Sequence, residues 1–199
     1  MPRTQQDRSN STRAALMAAA RELFAHRGYQ DVPADEIVRA AGVTRGALYH
    51  HYADKQGLFR AVVEQLEAEI TAEVEAGFED APDPVSGMGV ALGVFLDACL
   101  RPEVRQISLT DAPAVLGWSA WRAIEAEHGL GLLVRIIERG IADGLIAPQP
   151  VRTLAQLVLS TVTEAARMIA EAPDPAVARA EAEQVLGTWF AALLGNSAA

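Results

Sequence analysis

The side chains best suited to chemistry in this chain lie just after Gly42: Arg45, Tyr49 and His51. All three can donate hydrogen bonds, and the arginine carries a fixed positive charge, which suits contact with phosphate oxygens and base edges of a nucleic acid. Arg45 and Tyr49 are four residues apart, so on a helix they would share one face. Because a guanidinium can donate two parallel hydrogen bonds to O6 and N7 of guanine, Arg45 is the first candidate for reading a base, with contact to phosphate alone as the alternative.

The elements that must position these side chains are two short helices joined by a tight turn. Residues 34–40 place apolar side chains at a helical period, and Gly42 can take the positive φ that a sharp turn needs. Thr44 is a suitable N-cap for a second helix from Arg45 to about His51, because its hydroxyl can accept a hydrogen bond from a backbone N–H further on. Two helices in this arrangement, the second with an exposed polar face, are what a DNA major groove admits.

The run AAGVTRGALYHHYADKQGLF, with LFAHRGY upstream, closely resembles the DNA-binding domain of TetR/AcrR-type transcriptional regulators. The resemblance covers about residues 10–65. It rests on residue types at fixed spacings: Phe24, Gly28, Tyr29, Ile37, Ala41, Gly42, Val43, Leu48, Tyr49, Tyr52, Lys55 and Leu58. It implies an all-α fold, in which a three-helix helix-turn-helix head is joined by a long helix to a C-terminal helical domain for ligand binding and dimerisation.

The resemblance also implies a function: a homodimeric DNA-binding transcriptional regulator, most often a repressor that a small-molecule effector releases from a pseudo-palindromic operator. We expect the DNA contacts to come from Thr44, Arg45, Gly46, Tyr49, His50, His51 and Lys55. Tyr49, His51 and Lys55 match family positions that contact phosphates. Pro33 departs from the family pattern, which usually has a serine or threonine there that caps the helix and touches a phosphate.

The distribution of charge agrees with a chain that meets DNA at one end. The net charge is −9, but residues 1–60 hold nine Lys and Arg against six Asp and Glu, whereas residues 61–199 hold eight against twenty. The first part is therefore net +3 and the second net −12. A basic head can approach phosphates while an acidic body stays in solvent, although chance asymmetry is the alternative.

The composition, the breaks at glycine and proline and the extent of the resemblance predict three regions. These are a flexible arm at 1–9, a helix-turn-helix domain at 10–56 and a regulatory and dimerisation domain at 57–199. Helices are expected at about 54–77, 85–100, 102–110, 122–128, 131–144, 151–171 and 175–194. A single cysteine excludes an intramolecular disulfide, and no apolar run reaches the length of a membrane span. Without a recognisable leader, we expect a cytoplasmic protein.

The last two predicted helices have more apolar surface than one chain easily hides, which predicts a dimer interface. Its expected residues are Leu157, Thr161, Ala165, Val185, Leu186, Trp189, Phe190 and Leu193. A ligand pocket is predicted from large apolar and sulfur-containing side chains at helical positions: Met88, Phe95, Cys99, Trp118, Trp121 and Met168. Each of these could instead be an ordinary core residue.

Catalytic and metal chemistry are not indicated. Four histidines and one cysteine show no paired ligand spacing, and we expect no catalytic residue, no metal and no cofactor. The alternatives to an effector-controlled regulator are a DNA-binding structural or scaffold protein that senses no small molecule and, more remotely, an all-α enzyme.

Overall fold

The structure, a computed structural model, describes residues 5–195. Over that range the chain is all-α, with nine α-helices and one π-helical segment. The α-helices are α1 (Gln5–Arg27), α2 (Ala34–Ala40), α3 (Arg45–Tyr52), α4 (Lys55–Glu79), α5 (Pro84–Ala98), α6 (Ala112–Leu116), α7 (Trp118–Ala142), α8 (Val151–Glu171) and α9 (Pro175–Gly195). The π-helical segment is Val104–Asp111. No helix in the described range is long and apolar enough to cross a membrane.

The helices form two compact units. The first, called the head, runs up to Leu66 and also includes Pro102–Trp121; the second, called the body, comprises Glu67–Arg101 and the chain from Arg122 onward. This division differs from the predicted boundary at residues 56/57, because the head keeps the first half of α4 and takes in a distant segment.

The predicted flexible arm at 1–9 is also wrong where the structure describes it, because α1 already begins at Gln5. No glycine or proline interrupts residues 5–9, and Asp7 in the first turn complements the positive end of the helix dipole. Residues 1–4 of the predicted arm lie outside the described range.

The core of the head is built on aromatic side chains that meet between α1 and α4. The ring of Phe24 lies 5.3 Å from Phe59 in an edge-to-face arrangement, and Tyr29 lies 4.9 Å from Phe59. Ile37 of α2 and Leu48 of α3 are fully buried. Since α2 and α3 each contribute a buried anchor, the apolar period in the sequence orients both short helices and leaves the polar face of α3 outward.

Two tight turns hold α3 in place. Gly42 adopts φ of +65°, as its position in the sequence predicts, and Thr44 caps α3 by accepting a hydrogen bond from the Ala47 N–H at 3.3 Å. After α3 the chain reverses at Ala53, where φ is +63° and the Asp54 N–H donates to the Tyr52 carbonyl at 2.7 Å. A Cβ at Gly57 would lie 2.1 Å from that same carbonyl, so only glycine fits there.

The segment Pro102–Trp121 packs on α1 and α4 within the head. Arg21 and Glu103 form a bidentate ion pair at 2.8 and 2.9 Å, and the Tyr29 N–H donates to the Asp111 carboxylate at 2.8 Å. The Asp111 side chain makes no capping hydrogen bond to α6, which follows it, and accepts from the end of α1 instead. These partners are 82 residues apart in the chain, which no local pattern reveals.

The body contains the rest of α4 and α7 together with α5, α8 and α9. The predicted break near residues 129–130 is wrong, because α7 is continuous from Trp118 to Ala142. Glycine in a helix interior costs about 0.5–1 kcal/mol relative to alanine, and burial of Leu130, Leu132 and Ile136 offsets that cost. At Gly129, a Cβ would lie 3.3 Å from the Leu159 side chain, so the glycine lets α8 approach α7 closely.

Candidate nucleic-acid interface and an internal cavity

The outward face of α3 presents the predicted DNA-contacting residues together. Thr44, Arg45, Gly46, Tyr49 and His50 are all exposed, and they follow one another along the start and middle of the helix. A Cβ at Gly46 would touch only the Thr44 hydroxyl, at 3.9 Å, so the backbone there is open to close approach.

Arg45 is held in place by neighbouring side chains. Its guanidinium lies 3.1 Å from the Tyr49 hydroxyl, to which it donates, and 3.2 Å from the Asp35 carboxylate. The side chains of Arg45 and Asp35 are 61% and 59% exposed, and exposed ion pairs of this kind contribute only about 0–1 kcal/mol. A guanine base or a phosphate could therefore replace Asp35 as the partner of Arg45 at little cost.

The two histidines of α3 differ in environment. His50 is exposed, whereas His51 is half-buried, and the two rings lie 5.1 Å apart in an edge-to-face arrangement. Desolvation lowers the pKa of His51, and the positive charges of His50 and Arg13 act in the same direction. Near neutral pH His51 is thus predominantly an uncharged hydrogen-bond donor rather than a second cation.

Lys55 differs from the other predicted contacts because its ammonium already has internal partners. Its Nζ donates to the carbonyls of Tyr29 and Val32, at 2.9 and 3.1 Å, and lies 3.8 Å above the Tyr29 ring. Partial burial lowers the pKa of this ammonium group. Lys55 therefore fastens the connection between α1 and α2 to the start of α4, while contact with DNA through it stays a prediction.

Replacing Lys55 by methionine is expected to destabilise folding of the chain by about 1–3 kcal/mol, because two carbonyls lose a charged donor while the aliphatic stem is kept. Urea unfolding followed by circular dichroism measures this loss. Arg60→Met on the same helix is the matched control, since the exposed Arg60–Glu64 pair is expected to contribute only about 0.3–0.5 kcal/mol. Unchanged stability of Lys55→Met, with a flatter salt dependence of DNA binding, would instead assign Lys55 to phosphate contact.

The body contains a partly open cavity of about 150 Å³. Its walls come from α4, α5, α7, α8 and α9 and are mainly apolar, with Ile70, Leu92, Phe95, Leu132, Ile136 and Leu159 among the lining residues. The polar side chains that line it are Glu67, Thr71, Glu125 and Thr163.

Glu125 is the most unusual of these polar groups, because its residue is only 7% exposed. Burial raises the pKa of the Glu125 carboxyl group, while Arg122 and a hydrogen bond from Thr163 oppose the rise. Arg122 lies 2.7 Å from the carboxylate. Glu125 is not among the predicted pocket residues, although its position on the apolar stripe of α7, next to Ile124, is a signal in the sequence that points to it.

The predicted pocket residues divide into two groups. Met88 and Phe95 line the cavity, whereas Cys99, Trp118, Trp121 and Met168 are not among its lining residues. Trp118 and Trp121 belong to the head, where Trp121 is fully buried. Met168 is 61% exposed on α8. Burial raises the pKa of the Cys99 thiol to about 12, so at neutral pH it is protonated and unreactive.

The predicted interface residues also divide by exposure. Leu157, Val185 and Trp189 are between 53% and 61% exposed, so α8 and α9 do present an apolar surface. Ala165 and Leu186 are 7% and 3% exposed, so both belong to the core of the body and their assignment to an interface is wrong. Thr161, Phe190 and Leu193 are half-buried, and the last two line the cavity.

The predicted interface failed at Ala165 and Leu186 because each helix turns one side toward the body and the other toward solvent. Helical period alone does not say which side of a helix faces the core and which faces solvent.

In the described range, no group of three or more His, Cys, Asp or Glu side chains is placed to hold a metal ion.

A capped recognition helix, set on a buried α2–turn–α3 unit with its polar face free, defines a helix-turn-helix DNA-binding protein. Two family models match the chain. Residues 16–62 match the model for bacterial regulatory proteins of the tetR family, and residues 85–193 match that for the Tetracyclin repressor-like C-terminal domain. The chain belongs to the TetR family and is a DNA-binding transcriptional regulator.

Individual relatives agree with this assignment. The chain is 30% identical over 143 residues to the transposon Tn10 TetC protein of Escherichia coli, which covers 70% of each chain. It is 34% identical over 110 residues to the HTH-type transcriptional regulator AcrR of Shigella flexneri, covering 54% of this chain and 50% of that protein. A crystal structure of a TetR-family transcriptional regulator from Pectobacterium atrosepticum shares 36% identity and a TM-score of 0.86, covering 98% of this chain and 99% of that one.

Proposed function

We propose that this chain is a homodimeric repressor whose two α3 helices enter successive major grooves of a pseudo-palindromic operator. The observation that carries the proposal is the contiguous exposed face of α3. At its N-terminal end, Arg45 forms an exposed ion pair with Asp35, which a DNA group could replace. Recognition helices of this class contact base edges with their N-terminal residues. The protein acts by binding, without a catalytic cycle, in the cytoplasm where its operator is accessible.

Dimerisation through α8 and α9 is supported by their uncovered apolar side chains. Leu157, Met168, Val185 and Trp189 are each more than half exposed, and α8 packs directly on α9. A two-helix surface of this kind becomes buried when a second copy supplies the same pair by two-fold symmetry, giving a four-helix bundle. Two-fold symmetry in the protein then accounts for two half-sites in the operator.

Release by an effector is supported by the cavity in the body and by the path of the chain. Both α4 and α7 run without a break from one unit into the other, and the chain also passes between units at Arg101 and Pro102. Ligand entry that displaces α4 or α7 would therefore act on helices that also build the head. The effector must bind the DNA-incompetent state more tightly, by about 10⁴-fold to move the balance from 1:99 to 99:1.

Replacing Arg45 by alanine tests the proposed recognition. We expect it to weaken operator binding by about 1–3 kcal/mol and to relax preference at one base pair in each half-site, because a bidentate contact to one base is lost. Binding of a randomised operator library measures both effects. Arg39→Ala, in the preceding helix and exposed, is the control that is expected to retain base preference. A uniform loss over all sequences would reduce Arg45 to a phosphate contact.

A DNA-binding protein that senses no small molecule is a second candidate, favoured by the size of the cavity. At about 150 Å³ it is smaller than the roughly 300–1,000 Å³ of typical ligand pockets. If an effector controls the protein, some small molecule should both raise the melting temperature of the chain and release it from DNA. A library screen that finds stabilising ligands without DNA release would favour this second candidate.

A further inference from the structure

We infer that the effector is a small cationic amphiphile, with an apolar body about the size of one ring and an amine or amidine head that pairs with Glu125. This inference rests on the proposed function, since it names the chemical class of the proposed effector. It follows from the volume of the cavity, from the signs of the charges that line it and from the surroundings of one buried carboxylate.

The volume and the walls specify the body of the ligand. A cavity of about 150 Å³ is large enough to hold a molecule of about the size of benzene. Here Leu92, Phe95 and Ile136 are among the side chains that would contact such a body. Burying an apolar ring against them is favourable without any polar contact. The polar groups of the cavity therefore decide which ligands are selected, while the apolar contacts supply affinity common to all of them.

The charges that line the cavity specify the sign of the head. Within the described range, Glu67 and Glu125 are the ionisable side chains in the lining, and no lysine, arginine or histidine accompanies them. A carboxylate ligand would place its charge beside the carboxylates of Glu67 and Glu125, with no cation in the lining to receive it, and repulsion is stronger in a site of low polarity than in water. The cavity therefore selects against anionic ligands.

Glu125 is placed to accept a ligand donor. Its carboxylate takes one hydrogen bond from Arg122, at 2.7 Å, and another from Thr163. A carboxylate offers about four acceptor sites, so both oxygens keep capacity for a further donor. Arg122 is not among the lining residues and also donates to the Ser160 hydroxyl at 3.0 Å, so it fixes Glu125 from outside the cavity.

A cationic head satisfies this arrangement better than a neutral one. A buried carboxylate is disfavoured by desolvation, which a cation inside the cavity would offset by direct attraction. The ammonium or amidinium group of the ligand is equally costly to bury unless it meets an acceptor, and Glu125 supplies one. Each group thus compensates the desolvation of the other, whereas an alcohol offers Glu125 only a neutral donor.

The test is calorimetric titration of the full chain at pH 7.5 with benzylamine, benzyl alcohol and benzoate, which share one ring and differ in head-group charge. We expect benzylamine to bind at least about tenfold more tightly than benzyl alcohol, and benzoate not to bind measurably. Glu125→Gln should weaken benzylamine at least about tenfold and leave benzyl alcohol within about twofold, because the amide keeps the shape but not the charge. Glu127→Gln, exposed on the same helix, is the matched control and should bind like the original chain.

Several outcomes would overturn the inference. They are binding of benzoate as tight as that of benzylamine, unchanged benzylamine affinity in Glu125→Gln, and no binding of benzylamine at all. If Glu125→Gln does not fold, the ranking of the three ligands on the original chain still decides.

Operator release, measured in parallel, separates this inference from the proposed function. Release by benzoate and not by benzylamine contradicts the cationic effector and leaves the effector-controlled repressor standing. Tight benzylamine binding with no release confirms the charge preference of the cavity and contradicts its role in repression.

Discussion

Replacing Trp189 by glutamate is expected to yield a folded monomer that no longer holds a two-half-site operator. The side chain is 57% exposed in the single chain, so the substitution removes little from the core of the body. In the proposed four-helix bundle it would bury an unpaired carboxylate, and two-fold symmetry places the same defect on both chains. Central aromatic residues of interfaces contribute about 2 kcal/mol or more each, so the dimer should lose at least about 4 kcal/mol, or roughly a thousandfold in affinity.

Sedimentation velocity at micromolar concentration measures this change, with circular dichroism to show that the helices persist. Leu186→Glu is the informative contrast, because Leu186 is 3% exposed and its replacement should unfold the body rather than separate two folded chains. Glu171→Lys, at an exposed position of α8, should change neither assembly nor folding. A Trp189→Glu chain that still sediments as a dimer would place the interface elsewhere.

Replacing Trp121 by alanine is expected to destabilise folding by about 3–5 kcal/mol, because it removes a large, fully buried side chain from the core of the head. Trp118→Ala is the matched comparison. Trp118 is 54% exposed, and its ring forms an edge-to-face pair with Trp121, at 5.0 Å between ring centroids. Losing that pair should cost only about 0.5–1.5 kcal/mol.

Urea unfolding of the two variants decides between core and pocket roles for these tryptophans. If both line a ligand pocket, as their positions in the sequence allowed, the two substitutions should alter ligand binding and leave stability similar. If the structural assignment holds, Trp121→Ala loses DNA binding because the head unfolds, and Trp118→Ala keeps it. Equal, small losses of stability would contradict the burial of Trp121.

The sequence alone determined which face of α3 is exposed for the proposed contact with DNA. Three residues close together in the chain set the position of α3. Gly42 gives the turn its positive φ and Thr44 caps α3. Leu48 is buried and so fixes which face of α3 points inward. These effects depend on backbone conformation and helical period, which neighbouring residues decide. The exposed position of Arg45 and Tyr49 follows from them, so it could be predicted before any tertiary contact was known.

Tertiary structure decided which of two equivalent-looking sides a long helix buries. Ala165 and Leu186 share the apolar period of α8 and α9 with Leu157 and Trp189, yet the first two are buried and the last two exposed. Apolar residues on both sides of a helix satisfy its period equally well. Only the neighbouring helices determine which side becomes core and which is left for a partner.

Long-range pairing was likewise beyond the sequence. The sequence did not predict that the Lys55 ammonium donates to the carbonyls of Tyr29 and Val32, or that the Asp111 carboxylate accepts from the Tyr29 N–H at the end of α1. A hydrogen bond needs a partner within about 3 Å, and which distant atoms come that close depends on how the helices pack.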